Sequence, residues 1–447
     1  MAPETAAPIS EREFSDLMEP LGPFEPKPQL AVAYSGGADS TAMVLMAARW
    51  AKRRGGDVVA VTVDHGLRPD SAAEAQLAQS RIRELGVGGV VLCWKSHKPT
   101  SGIQKAARDA RYGLMSGWCR RKGILHLLLA HHQEDQAETM LHRLGRQTGA
   151  DGLAGMARIR ETADIRLLRP CLHVARNRLQ AVVEERGLKW VEDPSNHDPA
   201  YARVRLRKLL PALEVEQISP TALGGTARRL AQVRQTMENQ TASILAASAE
   251  INSLGCARID FTSFIEAERE IARRILERLL GSVGGNLYPV RHQLLDNLLN
   301  DIRQSGLLKA RTLAGCRILR IKNNILIVRE AARCPVEKVT PGVWIDWDNR
   351  FRLKVSSIGK SKRSDIYIRA LGDDFPQKLS KKTTKTGPKA LNVAVRRALP
   401  SVWDRYGLLS VPHLGYGRTP RNPASVARMQ VEYLPNRPVT NAFFPVV

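Results

Sequence analysis

The sequence lacks several features that would assign it to common protein classes. Its six cysteines are scattered, and no two of them form a Cys-x-x-Cys pair. Paired cysteines are typical of zinc knuckles, iron–sulfur sites and sulfur carriers, so we expect buried structural thiols in a reducing compartment instead. The opening MAPETAAPISEREFSDLMEP has no basic start followed by an apolar core, so no secretory signal is expected. No apolar run approaches the ~18 residues that a membrane span requires, and we expect a cytoplasmic protein.

Negative charge is also scarce. Lys and Arg together number 68 and Asp and Glu 44, which gives a formal net charge of +24. Such a surplus indicates a polyanionic partner, and nucleic acid is the usual one. A basic ribosome-associated or membrane-surface protein is the alternative that composition leaves open.

Apolar and amphipathic segments alternate from Gln29 to about Gly155. The pattern predicts strands and helices in turn: strands at 30–34, 58–63, 89–94 and 124–130, and helices at 41–53, 71–85, 103–121 and 135–144. Short apolar strands alternating with amphipathic helices predict an α/β fold with a doubly wound, mostly parallel sheet.

The alternation fades after Gly155. Further elements are predicted there: helices at 177–186, at 201–210 with Pro211 as the end, at 226–245, 265–280 and 288–302, and a hairpin within 316–330 that turns at Asn323-Asn324. We therefore expect an N-terminal extension with a short helix and a linker (1–28), the α/β domain (29–215), a mostly helical domain (216–333) and a small α+β C-terminal domain (334–447).

The first predicted strand runs into the string SGGADS, and a predicted helix follows at once. Glycines let backbone N–H groups approach an anion, and the helix adds its positive end. Asp39 would repel a phosphate unless a cation, most simply Mg²⁺, lies between them. The lysine of the common phosphate loop is missing, which favours attack at the α-phosphate with pyrophosphate leaving. The predicted nucleotide-binding residues are Ser35, Gly36, Gly37, Ala38, Asp39 and Ser40.

A second polar cluster follows the fourth predicted strand. His132, Asp135 and Glu138 are spaced three apart, so they lie along one side of a helix that starts at the sheet edge. In open α/β sheets ligands bind beyond the carboxyl ends of the strands. Asp135 is therefore a candidate to complete a magnesium site with Asp39, and His132 to touch phosphate or orient a carboxylate. A solvated polar helix start is the alternative.

Two resemblances extend this interpretation. The SGGADS string resembles the pyrophosphate loop of N-type ATP pyrophosphatases, which adenylate a carbonyl-type oxygen before a nucleophile displaces AMP. AHHQEDQAETMLHRLGRQTGADGLAGM, VDHGLRPDS, GIQKAARDARYGLM and the run from LLRPCL to LLPAL resemble segments of the tRNA(Ile)-lysidine synthetase family. They cover residues 29 to about 213, and the rest resembles the family more weakly. The family often has a second aspartate where this chain has Glu134, so the metal role falls on Asp135.

That resemblance implies an ATP- and Mg²⁺-dependent ligase. It would join free L-lysine to C2 of the wobble cytidine of an isoleucine tRNA with a CAU anticodon, through an adenylated cytidine, and release AMP and pyrophosphate. Codon reading would change from AUG to AUA. The α/β domain would bind ATP, and the two later domains would bind tRNA. Family members are often homodimers or monomers with jointed domains, and both remain open.

The resemblance also suggests roles for particular side chains. Arg111 is the candidate for the lysine carboxylate, because a guanidinium binds a carboxylate bidentately. Glu138 and His132 are candidates to assist the lysine amine, whose free pKa of about 10.4 keeps it protonated. A basic helix offers contacts to the tRNA backbone, and its candidates are Arg203, Arg205, Arg207 and Lys208.

Three alternatives remain open at this point. A tRNA thiolase of the same fold needs a persulfide cysteine or a cluster, and no cysteine pair suits it. An amidotransferase-type synthetase needs an ammonia source, and no glutaminase segment is visible. A basic RNA-binding protein with an inactive nucleotide fold would not need the intact SGGADS string.

Overall fold

The computed structural model describes residues 6–96, 98–146, 148–162, 164–190, 202–356, 366–374, 391–418 and 429–439. The chain forms two compact units, of which the first ends at Thr236 and the second begins at Met237. This boundary falls inside one long helix, Pro220–Ser248. The limits expected from the sequence, 29–215, 216–333 and 334–447, remain a proposal. Among the described residues, no helix combines the length and apolar character needed to traverse a bilayer.

A mostly parallel sheet forms the centre of the first unit. Its described strands are β1 (Gln29–Ala33), β2 (Asp57–Asp64), β3 (Gly88–Cys93), β4 (His126–Leu128), β5 (Ile159–Glu161) and β6 (Arg166–Leu168). They lie in the order β3-β2-β1-β4-β6-β5. Of these neighbouring pairs, β5 with β6 is antiparallel and the others are parallel. The predicted α/β fold is confirmed.

Helices cover both faces of this sheet. The described helices from the start of the chain to the unit boundary are α1 (Glu11–Met18), α2 (Ala38–Lys52), α3 (Ser71–Glu84), α4 (Ile103–Lys122), α5 (Gln133–Leu144), α6 (Ala150–Leu153), α7 (Arg176–Glu184), α8 (Ala202–Val215) and α9 (Pro220–Ser248). Leu30 and Val32 of β1 pack in one core with α1, α2, α3 and α7. Ala31, which points to the opposite face, packs in another core with Met115 and Trp118 of α4. The central strand is apolar throughout because both of its faces are covered.

The order of the strands creates a topological switch point. The chain moves outward from β1 through β2 to β3 and then crosses back to place β4 on the other side of β1. The loop after β1 and the segment after β4 therefore emerge side by side at the carboxyl edge. Crevices of this kind are where open α/β sheets bind ligands.

The N-terminal segment packs as part of the first unit. Its short helix is confirmed as α1, and Phe14, Met18 and Leu21 are at most 1% exposed. Arg178 of α7 donates to both carboxylate oxygens of Glu13, at 2.6 and 2.7 Å. Arg166 at the start of β6 donates to the backbone carbonyls of residues 21–23, each at 3.1 Å. The stretch after α1 is thus held against the sheet by packing and hydrogen bonds.

The second unit combines helices with antiparallel sheets. Its described helices are α10 (Phe261–Glu266), α11 (Arg269–Gly284), α12 (His292–Ser305) and α13 (Val393–Arg397). One sheet has the order β7-β8-β11-β10-β9, with β7 (Ala249–Ile251), β8 (Ala257–Asp260), β9 (Arg311–Leu313), β10 (Cys316–Ile321) and β11 (Asn324–Arg329). Side chains of α11 and α12 form one core with its strands.

Two smaller sheets follow in the described residues. One has the order β12-β15-β16-β17-β18, from β12 (Glu337–Lys338), β15 (Tyr367–Ala370), β16 (Pro400–Asp404), β17 (Gly407–Val411) and β18 (Tyr416–Gly417). The other has the order β13-β14-β19, from β13 (Trp344–Trp347), β14 (Phe351–Val355) and β19 (Met429–Tyr433). A buried ion cluster stabilises this region, because Asp348 pairs with both Arg329 and Arg350 at 2.7 Å.

Three local predictions were wrong. Pro211 does not end its helix: α8 continues to Val215, and burial of Val204 and Leu210 offsets the backbone hydrogen bond that proline cannot donate. The hairpin turns at residues 322–323, because Asn324 already pairs with Ile321 and Lys322 adopts the left-handed conformation at φ 52°.

The segment predicted as one helix at 265–280 forms two helices, α10 and α11. The Asp260 carboxylate caps α10 by accepting from the Ser263 N–H at 2.8 Å, and the extended backbone at Ala267 (ψ 140°) separates α10 from α11. The region around these helices also contains the five-stranded sheet, of which sequence reasoning identified only the hairpin.

Replacing Phe14 by alanine should destabilise the first unit. The side chain is 1% exposed, so its loss leaves a cavity between α1 and the sheet, and we expect a cost of about 3–5 kcal/mol in the free energy of unfolding. Chemical denaturation measures this. Leu77→Ala is the matched control, because Leu77 is 47% exposed. Equal effects of the two substitutions would mean that α1 does not contribute to the core.

Candidate active site

The loop after β1 forms a compact turn that leads directly into α2. Gly36 has φ 85°, a conformation that residues with a Cβ rarely adopt. The Ser40 hydroxyl donates to the Gly37 carbonyl at 3.0 Å and accepts from the Ser35 N–H at 3.3 Å. The Thr41 hydroxyl donates to the same carbonyl at 2.9 Å. These bonds fix the loop so that the N–H groups of the first turn of α2 face the switch point, as an anion site requires.

Asp39 and Asp135 approach one side chain, His132. The Nε2 atom of His132 lies 3.8 Å from Asp39 Oδ2 and 3.5 Å from Asp135 Oδ2. The two carboxylates come from different strands, since Asp39 follows β1 and Asp135 follows β4. The switch point therefore brings together the three residues that sequence reasoning had assigned to the metal and phosphate region.

Burial and the neighbouring charges act against each other in this cluster. Burial raises the pKa of Asp39, and the nearby charge of Asp135 adds to the increase, whereas His132 and Arg176 oppose it. Burial alone would lower the pKa of His132, but the hydrogen bond to Glu134 and the charges of Asp135 and Asp39 outweigh it and raise that pKa. A cation placed between the carboxylates would relieve their mutual repulsion.

Sequence reasoning missed two residues that position this cluster. Glu134 accepts a hydrogen bond from His132 Nδ1 at 3.0 Å and from the backbone N–H of Arg176 at 3.0 Å. Arg176 in turn lies with its Nε 3.4 Å from Asp39 Oδ2. Glu134 thus fixes the orientation of the imidazole. The sequence signal for Glu134 was its position close to His132. Arg176 had no such signal, because it comes from α7, a helix far along the chain.

Glu138 is fully buried beside the same cluster. Its Oε1 pairs with Arg207 Nε of α8 at 2.7 Å. Its Oε2 is buried and has no hydrogen-bond partner among the described residues. Burial raises the pKa of Glu138 although the ion pair with Arg207 opposes the change. A carboxylate with one unpartnered oxygen and a raised pKa is suited to accept a proton.

Two of the four candidates on the basic helix contact α5: Arg207 pairs with Glu138, and Arg203 donates to the Thr139 hydroxyl at 3.3 Å. Arg203, Arg205 and Lys208 are exposed, whereas Arg207 is half-buried. The family segment upstream of this helix, at 191–201, lies outside the described residues.

Arg111 occupies a neighbouring part of the edge. Its guanidinium lies 5.5 Å from the centre of the Tyr112 ring. Burial lowers the pKa of His65, just after β2, and the charge of Arg111 adds to that decrease. Within the described residues, no hydrogen bond or ion pair joins Arg111 to Asp39, Asp135 or Glu138.

His131 is a further residue that sequence reasoning passed over. Its Nδ1 accepts a hydrogen bond from Arg169 Nε at 3.1 Å. Burial, with the charges of Arg169, Arg203 and Arg108, lowers the pKa of His131 to about 3 although Asp135 opposes them. The ring is therefore neutral at physiological pH, with its proton on Nε2.

The chain is similar in sequence to known proteins over most of its length. A family model described as a PP-loop domain matches residues 6–213. The tRNA(Ile)-lysidine synthase of Wolbachia pipientis wMel is 35% identical over 72% of this chain and 76% of its own length. The enzyme of Ruegeria pomeroyi is 34% identical over 88% of this chain and 90% of its own length. The enzyme of Bradyrhizobium sp. (strain BTAi1) is 38% identical over 63% of this chain and 80% of its own length.

The chain belongs to the tRNA(Ile)-lysidine synthase family. The family predicted from the sequence motifs is confirmed, as is the expectation of a ligase with a PP-loop ATP-binding domain. In this member the family's polar segments after β1 and β4 meet at the switch point.

The site fits a magnesium ion supplied with its nucleotide. Asp39 Oδ1 is buried and has no hydrogen-bond partner among the described residues, and Asp135 lies beside it. No group of three or more His, Cys, Asp and Glu side chains in the described ranges is arranged to hold a metal on its own. Mg²⁺ commonly binds one or two carboxylates together with substrate phosphates, and two acidic side chains suit that arrangement.

Glu134→Gln should lower the pKa of His132. The substitution keeps the shape of the side chain but removes the charge that stabilises the imidazolium, so the imidazole should titrate at lower pH than in the unmodified protein. NMR of histidine-labelled protein, with the His132 signal assigned through His132→Gln, gives the pKa directly.

Glu184→Gln serves as the control, because Glu184 is exposed on α7 and carries the same charge. If both variants leave the His132 titration unchanged, then Glu134 does not set the charge of that ring.

Proposed function

We propose that this protein joins free L-lysine to C2 of the wobble cytidine of an isoleucine tRNA with a CAU anticodon, with ATP converted to AMP and pyrophosphate. The observation that carries the proposal is that Asp39 of the SGGADS string and Asp135 of α5 both approach His132. This arrangement occurs in a chain 34–35% identical to tRNA(Ile)-lysidine synthases over most of its length. The product would read AUA in place of AUG.

The first step is attack of the cytidine 2-carbonyl oxygen on the α-phosphate. The bond between the α- and β-phosphates breaks, and pyrophosphate leaves toward the loop formed by residues 35–40. Backbone N–H groups and the positive end of α2 stabilise the growing negative charge, with Ser35 and Ser40 holding the turn in shape. Mg²⁺ bound by Asp39 and Asp135 would neutralise part of that charge.

The second step is attack of the lysine ε-amine on C2, which displaces AMP. The amine must lose a proton, since its free pKa is about 10.4. Glu138 is the better candidate of the two proposed bases, because its Oε2 is unpartnered among the described residues and burial raises its pKa. His132 already contacts Glu134 and two aspartates, so its role is to hold the carboxylates in position.

Arg111 remains the proposed partner of the lysine carboxylate. Support comes from its place at the carboxyl edge of the sheet beside His65, on the side of β2. Guanidinium groups form paired hydrogen bonds to carboxylates.

The cysteines disfavour a thiolase. Burial raises the pKa of Cys119 to about 11 and those of Cys171 and Cys316 to about 12, so these thiols resist forming the reactive thiolate. All six cysteines lie in the described ranges and are free, and only Cys93 is exposed. A sulfur-transfer mechanism would need a reactive or paired cysteine.

Incorporation of radiolabelled lysine into an isoleucine tRNA transcript tests the activity. With ATP and magnesium, the unmodified protein should transfer label to the RNA. Asp39→Ala should reduce the rate by about 10²-fold or more, because it removes charge stabilisation at the leaving group. Asp16→Asn, an exposed position on α1, should leave the rate unchanged. AMP release that depends on tRNA but occurs without label would mean that the nucleophile is not lysine.

Arg205→Ala should weaken tRNA binding while ATP binding stays intact. Arg205 is exposed on α8, and loss of one phosphate contact should make the salt dependence of binding shallower by about one unit in the log–log slope. Arg12→Ala, on the exposed side of α1, is the control of equal charge. An unchanged slope in Arg205→Ala would refute a phosphate contact by Arg205.

A further inference from the structure

A pocket lined by polar side chains lies in the first unit, apart from the Asp39–Asp135 pair. It has a volume of about 310 Å³ and is lined by Arg158, His173, Arg228, Gln232, Gln235 and Thr236. None of these six residues carries a negative charge. The proposed chemistry of ATP and lysine does not use them.

The pocket opens at the carboxyl edge of the sheet, as the candidate active site does. Arg158 directly precedes the antiparallel strand β5, and its carbonyl accepts from the N–H of Arg169, just after β6. His173 follows β6, and Val174 beside it accepts a hydrogen bond from the backbone N–H of Gln133, the first residue of α5. The pocket and the Asp39–Asp135 pair are therefore connected through adjacent backbone segments of one unit.

Helix α9 forms the other wall. Arg228, Gln232 and Gln235 are spaced four and then three residues apart, which places them on one face of the helix. Arg228 and Gln232 are exposed, so a partner can reach them from solvent. The wall offers a guanidinium and amide groups, which suit phosphate and sugar oxygens.

The inner wall holds unused hydrogen-bonding atoms. Arg158 donates from Nη2 to the Leu17 carbonyl at 2.7 Å, so α1 fixes its position. Arg158 Nε and His173 Nε2 are buried and have no hydrogen-bond partner among the described residues. Burial, with the charges of Arg158 and Arg228, lowers the pKa of His173 to about 4. An anion placed between these groups would satisfy the two atoms and offset both positive charges.

We propose that this pocket binds a backbone phosphate of the RNA substrate, at a distance from the reacting base. Its volume exceeds that of one phosphate group, and its outer wall is open, as a passing strand requires. The net charge of +24 supports a polyanionic partner. The identity of the RNA rests on the proposed function, but the phosphate contact does not depend on the reaction.

Arg228→Gln tests the contact through RNA binding. We expect weaker binding of the tRNA transcript and a log–log salt slope shallower by about one unit, as for loss of one phosphate contact. Arg229→Gln is the matched control, because it removes the same charge from the next position of α9, where Arg229 is exposed and donates to Thr226. Equal slopes in the two variants overturn the proposal.

A second readout follows His173 itself. Its NMR signal, assigned through His173→Gln, should shift when the tRNA transcript is added, and the shift should be lost in Arg228→Gln. Inorganic phosphate and ATP are titrated separately. A signal that responds to either of them but not to tRNA overturns the RNA assignment in favour of a free-phosphate site.

The two proposals fail separately. Unmodified protein that binds tRNA with the Arg228-dependent slope but incorporates no lysine would leave the pocket in place and refute the proposed function. Lysine incorporation together with a His173 signal that does not respond to tRNA would support the proposed function and refute the phosphate contact in the pocket.

Discussion

Asp39 and Asp135 face one nitrogen of His132, and the arrangement of the first unit follows from holding them there. Two half-buried carboxylates repel each other, so they stay close only if the backbone on each side is fixed and a positive group lies near both. The buried strands β1 and β4 provide the fixed backbone. Glu134 and Arg176 then hold the imidazole and the Asp39 carboxylate from the periphery. A cation bound here together with nucleotide phosphates would relieve the same repulsion.

Sequence reasoning succeeded where the pattern is local. The alternation of apolar strands and amphipathic helices predicted the sheet, and the SGGADS string predicted the turn into α2, because both depend on neighbouring residues. It also placed Asp39 and Asp135 at one edge, since parallel strands share their carboxyl ends. It missed Arg176 and the pairing of Arg207 with Glu138, because these contacts join helices separated by many residues. The assigned roles of the site residues stay predictions until the proposed variants are measured.

Charge counting overstates the surface available to RNA. Several arginines form ion pairs with carboxylates of the protein itself: Arg207 pairs with buried Glu138, Arg329 and Arg350 with Asp348, and Arg178 with Glu13. Other arginines, such as Arg205 and Arg228, are exposed. Two residues of the same type on one helix, Arg205 and Arg207, thus have different environments, and composition cannot distinguish them. Burial and pairing decide which cations remain accessible to a polyanion.

The ion pair between Glu13 and Arg178 joins residues 165 positions apart. During synthesis α1 leaves the ribosome before α7, and its partner on α7 appears only after β1 to β6 have been made. The apolar side of α1, with Phe14 and Met18, therefore lacks its final packing contacts until the sheet has assembled. Contacts of such long range close late and slow folding. The segment at the start of the chain is thus among the last parts of the first unit to reach its native environment.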